Sequence, residues 1–244
     1  MNFDQIEKSM KSALMERSKI CSCFINEATG NLISYNDKKY IITCRHVADD
    51  FFSNKKQYVL LRDNKKIFKE DLKYFARTNE QIDIAVIEIL KQDEVTNFYT
   101  SEDFEFINDF NQTETNKTSY FIFGYPAQLT FEKDGREFIM WMSYLTLKSE
   151  SISSTQNFLY LDYKRESEKN IITEKVIKTI LPKASGLSGA FIFKVERFQE
   201  KKDKLWLPSF AKIVAIQSGW NKRNWLKGCN TKYLFELLDR DNAT

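Results

Sequence analysis

The chain is poor in the residues that punctuate a backbone, and poorer still in the one that titrates near neutral pH. It has seven glycines, three prolines and a single histidine, His46, among 244 residues. That scarcity excludes collagen-like and low-complexity architectures, and it makes each glycine present informative. The four cysteines are Cys21, Cys23, Cys44 and Cys229. They are too few, and the first two too close, for a disulfide framework, so they read as reduced thiols of a cytoplasmic protein. The sequons at Asn111, Asn116 and Asn242 are then chance matches. No apolar run reaches the ~18 residues a membrane-spanning helix needs. The first twenty residues lack the unbroken apolar segment of a signal peptide. An excess of one charge is missing too. The 37 Lys and Arg face 34 Asp and Glu, and a net charge of +3 argues for neither a nucleic-acid nor a membrane partner.

What is present is globular. Apolar residues make up 42%, charged residues 29% and aromatics 14%, enough for a well-buried core. The segment MNFDQIEKSMKSALMERSKI places Phe3, Ile6, Met10 and Leu14 on one face of an amphipathic helix. After it the pattern turns to short β-type runs. Turn signals stand at Thr29-Gly30, at Asn36-Asp37, and at Asp134-Gly135 within a hairpin. The segment NTKYLFELLDRD predicts a closing helix capped by Asn230 or Thr231, with Tyr233, Leu234, Leu237 and Leu238 turned inward. Many short strands, with helices only at the ends, predict an all-β sandwich or barrel.

Three stretches carry chemistry: IITCRHV, IDIAVIEI and KASGLSGAFIF. Each sets one polar residue against an apolar run, in the order His46, Asp83, Ser188. A hydroxyl is a poor nucleophile at neutral pH until an imidazole takes its proton, and a carboxylate fixes the tautomer of that imidazole. Gly186 and Gly189 flank the serine. Glycine lets the backbone turn so that the amides of Gly186 and Ser188 aim at one oxygen, as an oxyanion hole requires.

At these residues the chain resembles a trypsin-like, chymotrypsin-fold serine protease of the bacterial, intracellular kind. TCRHV is similar to that family's histidine motif, DIAV to its aspartate motif and GLSG to its serine motif. FIFGYP resembles the start of its second barrel, and IVAIQSGW the strand that lines its substrate cleft. The resemblance runs over roughly residues 20 to 225. It implies two six-stranded antiparallel β-barrels. Residues 1–19 would be a helix, 20–117 the first barrel and a connector, 118–228 the second barrel, and 229–244 a helix. It implies a serine endopeptidase acting on a protein or peptide through an acyl-enzyme, with no cofactor and no metal. Lys183, Gln217, Ser218 and Gly219 would contact substrate. An activating protein partner and a role in bacterial defence or stress are in keeping with such enzymes. Leu187 departs from the digestive members, which carry an aspartate there to pair with a newly cut amino terminus. Pro182 gives the base of the specificity pocket no charge.

Other readings use the same residues. Cys44 is a possible nucleophile beside His46, though two positions apart on a strand they are poorly placed for a hydrogen bond. Cys21, Cys23, Cys44 and His46 make a conceivable zinc set, with tighter spacing than zinc sites usually have. The stretches WNKRNW and KKDK form a basic, aromatic patch, more simply read as solvated loops. A protease-fold module that binds without turnover is the rival function.

Overall fold

The computed structural model describes residues 3–91, 95–111, 118–133, 136–163, 166–167, 179–195, 208–221 and 225–240. The chain opens with helix α1 (Phe3–Ile20). Strands β1 (Ser22–Ile25), β2 (Ala28–Tyr35) and β3 (Lys38–Thr43) follow, then helix α2 (Arg45–Ser53). Next come β4 (Tyr58–Leu61), β5 (Lys66–Phe68), β6 (Leu72–Arg77) and β7 (Ala85–Ile89). The second half holds β8 (Ser119–Gly124), β9 (Thr130–Lys133), β10 (Arg136–Ile139), β11 (Met142–Thr146) and β12 (Phe158–Asp162). It continues through β13 (Glu166–Ser167), β14 (Thr179–Ile180), β15 (Phe191–Val195), β16 (Ala211–Asn221) and β17 (Trp225–Asn230), and ends in α3 (Lys232–Asp239).

Two curled antiparallel sheets result. The first has seven strands in the order β5-β4-β1-β2-β3-β7-β6, and the second six in the order β11-β8-β15-β16-β17-β12. One apolar cluster fills the first sheet, with Cys23, Ile41, Phe51, Val59 and Ile87 among its members. Another fills the second, around Ile122, Leu161, Leu187, Ile192 and Leu226. A third fills the seam, where Phe121, Phe193 and Ile213 of the second sheet meet Phe24, Ile42 and Val86 of the first. Met10 and Leu14 of α1 and Leu234 of α3 join this seam cluster. Each fully buried side chain of this size removes apolar area worth about 1.5–3 kcal/mol.

Three expectations change. The first hairpin turns at Asn26-Glu27, with φ of 46° and 61°, and not at Thr29-Gly30, which lie inside β2 with Gly30 opposite Cys23. A side chain at Gly30 would come within 2.6 Å of Cys23 Sγ and 2.8 Å of Ile41, so this glycine serves close packing and not a turn. Helices are not confined to the ends, because α2 begins directly after β3. At α3 it is Phe235 that is buried with Leu234, Leu237 and Leu238. Tyr233 is half-buried and donates its hydroxyl to Asn157 Oδ1 at 2.5 Å, while Asn230 Oδ1 accepts the Lys232 amide at 3.0 Å. The Asn36-Asp37 turn stands as read, with φ of 47° and 60°. Strands β9 and β10 pair as a hairpin. Its Asp134-Gly135 turn, KKDK (201–204) and residues 222–224 of WNKRNW lie outside the described residues, as do the side chains of Phe3 and Ile6.

Candidate active site

Helix α2 starts without a cap of its own, because Cys44 makes no side-chain capping bond. Asp83 supplies what is missing. Its carbonyl accepts the Arg45 amide at 3.2 Å and its Oδ1 accepts the His46 amide at 3.1 Å, satisfying donors that a helix N-terminus leaves open. The other oxygen, Oδ2, accepts the His46 Nδ1 hydrogen at 2.7 Å. One carboxylate thus fixes both the backbone and the ring of His46. Asp83 holds this pose at φ 60°, a left-handed conformation that aspartate tolerates better than most residues. The Asn79 carbonyl accepts the Asp83 amide at 2.9 Å and closes the turn.

The hydrogen bond to Asp83 raises the His46 pKa above the ordinary 6.5. Burial opposes this, and the charges of Asp83, Asp50 and Asp49 reinforce it. The imidazole is still 56% exposed while Asp83 is only 14% exposed, so the ring is reachable from solvent and its orienting group is not.

Ser188 comes to the same place along a different route. The Gly189 amide donates to the Gln217 carbonyl at 2.8 Å, and Cys44 Sγ donates to that same oxygen at 3.1 Å. The segment before His46, the segment after Ser188 and strand β16 therefore converge on one atom. Thr29 adds four more ties. Its amide donates to the Ser188 carbonyl at 3.1 Å, and its hydroxyl donates to the Gly186 carbonyl at 2.9 Å. That hydroxyl also accepts the Tyr125 amide at 3.0 Å, and the Thr29 carbonyl accepts the Thr43 hydroxyl at 2.9 Å. The Asn31 side chain donates to the Gly189 carbonyl at 2.7 Å. Among the described residues the Ser188 hydroxyl makes no hydrogen bond, to His46 or otherwise.

The two amides expected to form an oxyanion hole are oriented by their own peptide planes. In a trans peptide the N–H and C=O point in opposite directions. The Ser185 carbonyl accepts the Ala127 amide at 2.9 Å, which turns the Gly186 N–H away from Ala127. The Leu187 carbonyl accepts the Ala190 amide at 2.8 Å, which does the same for Ser188. Among the described residues neither the Gly186 nor the Ser188 amide donates to a protein acceptor, whereas those of Leu187, Gly189 and Ala190 do. Both glycines hold φ of +91°. Leu187, fully buried in the second sheet's core, anchors the loop by packing.

The remaining expected residues divide. Lys183 is exposed, with its amide donating to Gln128 Oε1 at 2.9 Å. Gln217 is fully buried. Its side chain turns back to the Gly219 carbonyl at 2.9 Å, and its Oε1 has no partner. Ser218 accepts from Cys229 Sγ at 3.1 Å, and Gly219 is half-buried. Strand β15 pairs with β16 only as far as Ile216, so β16 from Ser218 to Asn221 has β17 on one side and no strand on the other among the described residues.

Cys44 does not stand on a strand with His46, as the spacing suggested. It precedes the helix, and its Sγ lies within 4.8 Å of ligand atoms of both His46 and Asp83. Burial, first, and the nearby Asp83 charge push its thiol well above the usual range, so it is a weak candidate for a thiolate. Cys21 and Cys23 stand outside this cluster. The residue that sequence reasoning missed is Thr29. Three of its four partners, Tyr125, Gly186 and Ser188, lie 96 or more positions away, so no local pattern could announce them.

Replacing Thr29 by valine keeps the shape and removes the hydroxyl. The buried Tyr125 amide and Gly186 carbonyl lose their shared partner, a loss of about 1–3 kcal/mol in stability. The expected kinetic result is a fall in kcat of about tenfold with little change in KM, restored by Thr29→Ser. An unchanged kcat in a destabilised Thr29→Val protein would make the residue structural only.

No family model matches the chain, and no curated protein matches it by sequence. Solved structures do. The serine endoprotease from Yersinia pestis aligns with 98% of this chain at TM-score 0.52 and 15% identity. Rv3671c from M. tuberculosis, in an inactive form, aligns with 97% at TM-score 0.53 and 10% identity, covering 93% of that chain. HBP aligns with 93% at TM-score 0.54 and 10% identity, again covering 93% of that chain. The chain has the chymotrypsin fold. It spans 66% of the Yersinia endoprotease chain, just under two thirds.

Proposed function

We propose that the chain is a serine endopeptidase. In this reading the first barrel, residues 20–117, carries His46 and Asp83, and the second, residues 118–228, carries Ser188 and the oxyanion amides. The observation that supports it most is that Cys44, which leads into the oriented His46–Asp83 pair, and Gly189, which follows Ser188, both bond to the Gln217 carbonyl. Ser188 Oγ bonds to the scissile carbonyl carbon as His46 Nε2 takes its proton. The carbonyl oxygen, now negative, meets the Gly186 and Ser188 amides. When the C–N bond breaks, His46 returns the proton to the leaving amine. Water then repeats the sequence on the acyl-enzyme and frees Ser188. The peptide adds as a strand to the unpaired edge of β16 at Ser218 and Gly219, with Lys183 beside Pro182 where the specificity pocket would have its base.

The missing Ser188–His46 hydrogen bond favours a second reading, a protease-fold module whose hydroxyl and imidazole engage only when a partner or substrate brings them together. Such bonds often tighten only in the substrate complex. Profiling a peptide library with the wild type and Ser188→Ala separates the two. Cleavage lost in the variant supports the endopeptidase, and no cleavage in either supports the binding module.

The pH dependence follows from His46. The general base must be neutral, so activity will rise with pH through its titration. The Asp83 hydrogen bond moves that midpoint above the ordinary 6.5. The same raised pKa makes the pair's contribution to stability fullest below 6.5 and lost as pH rises through the folded value. A kcat/KM profile with its acid limb below 6.5 would contradict the pairing. Metal chelation will leave the rate unchanged, and loss on chelation would favour metal bound by the Cys44, His46, Asp83 cluster.

A further inference from the structure

Three chemically different ligand atoms meet beside His46. The Cys44 sulfur, a ring nitrogen of His46 and a carboxylate oxygen of Asp83 all lie within 4.8 Å of one another. Among the described residues no other three Cys, His, Asp or Glu side chains are grouped in this way. Cys44 and His46 come together where β3 ends and α2 begins, and Asp83 arrives just ahead of β7. Asp83 acts on the Cys44 thiol through its charge and through a hydrogen bond, and its Oδ2 lies 2.7 Å from His46 Nδ1. The serine mechanism employs His46 and Asp83 and gives the Cys44 sulfur no chemical task. A thiolate, an imidazole and a carboxylate are the donors that zinc takes, at about 2.3, 2.0–2.1 and 2.0–2.2 Å, with a fourth place left for water. Tetrahedral angles at those lengths set the donors about 3.4–3.6 Å apart, so side-chain shifts on the order of 1 Å would close the site.

We infer that Cys44, His46 and Asp83 form an inhibitory site for a borderline-soft divalent cation, with zinc the ion that fits. The inhibition rests on the peptidase reading; the site itself does not. The ion replaces the hydrogen between His46 Nδ1 and Asp83 Oδ2. The ring proton then sits on Nε2, the atom that must accept the Ser188 proton, and the general base is lost. Cys44 releases its thiol proton to solvent, because a coordinated thiol is held as the thiolate. Asp83 Oδ1 keeps the His46 amide that starts α2. The Arg45 guanidinium is bonded to Asp49 at 3.2 Å and faces Glu80 at 3.7 Å, so a protein cation does not take the place of the metal. Cys44 is fully buried while the His46 ring is 56% exposed. The ion therefore enters past the ring, and a chelator can remove it by the same path. Such a metal silences the site, so chelation restores activity and never lowers it.

The test uses the full chain as Ser188→Ala, titrated with Co²⁺ alone and then with Zn²⁺ as competitor, so that binding is read apart from cleavage. A thiolate-to-cobalt charge-transfer band is expected, and Zn²⁺ should displace it. Adding Cys44→Ser keeps a hydroxyl donor for the Gln217 carbonyl but removes the sulfur. It should abolish the band and weaken Zn²⁺ binding about tenfold or more. His46→Ala, which removes an exposed ring, should weaken Zn²⁺ binding as much and serves if Cys44→Ser does not fold. Cys21→Ser, outside the cluster, should leave band and affinity unchanged. In the wild type, Zn²⁺ should slow peptide cleavage and excess chelator should restore it. Cys44→Ser should be about tenfold or more less sensitive, relative to its own metal-free rate. An absent band, or a band and Zn²⁺ affinity unchanged in Cys44→Ser and His46→Ala, overturns the site. Zn²⁺ bound at Cys44 with cleavage unaffected overturns the inhibition. A metal-free wild type that cleaves no peptide overturns the peptidase reading, and the site then stands or falls on the cobalt titration.

Discussion

Ser188→Ala will abolish peptide cleavage and leave the fold unchanged. Removing the nucleophile from a working triad costs up to about 10⁶ in turnover. The side chain makes no hydrogen bond among the described residues, so its removal orphans no partner. Only the loop's backbone is built into the protein, through the Ser188 carbonyl and its neighbours. Thermal unfolding should therefore coincide with that of the wild type while the cleavage rate falls to background. Residual cleavage at more than a small fraction of the wild-type rate would remove Ser188 from the mechanism.

Gly189→Ala will be severely damaging, and it acts on the fold first. A methyl group there would overlap the Thr29 carbonyl oxygen and lie 2.5 Å from Thr43 Oγ1. Both are backbone or buried atoms of the first sheet, with no room to retreat. The φ of +91° adds a conformational penalty of about 1–3 kcal/mol for any residue with a Cβ, and overpacking adds about as much again. Relief requires Thr29 to move, and with it the ties to Ser188, Gly186 and Tyr125. The expected outcome is a loss of several kcal/mol in urea unfolding, together with loss of activity. A stable, active Gly189→Ala protein would mean that the loop packs differently from the arrangement described above.

The strands and their alternation were legible because apolar runs and turn residues are local signals. The His, Asp, Ser order was legible because each residue sits in a short motif. What escaped depends on distance or on absent signals. Helix α2 follows β3 with only Cys44 between them and without a capping side chain, since Asp83 does the capping from 37 positions away. The turn at Asn26-Glu27 escaped because glutamate is not a turn residue, while Thr29-Gly30 carried a stronger but misplaced signal. Gln217 lies in a strand resembling a substrate-lining one, yet its side chain is buried and its carbonyl is the shared acceptor. The role of Thr29 was invisible because Tyr125, Gly186 and Ser188, three of its four partners, lie in the second half of the chain.

The central claim is that Ser188, His46 and Asp83 act together, and fluorophosphonate labelling tests it most directly. The reagent reacts with a serine only when an imidazole activates it and an oxyanion site receives the charge. The account predicts one phosphonyl adduct per chain, mapped by mass spectrometry to Ser188. It should be lost in His46→Ala and slowed strongly in Asp83→Asn, with no adduct on Cys44. An adduct elsewhere, or labelling of Ser188 that persists unchanged in His46→Ala, would contradict it.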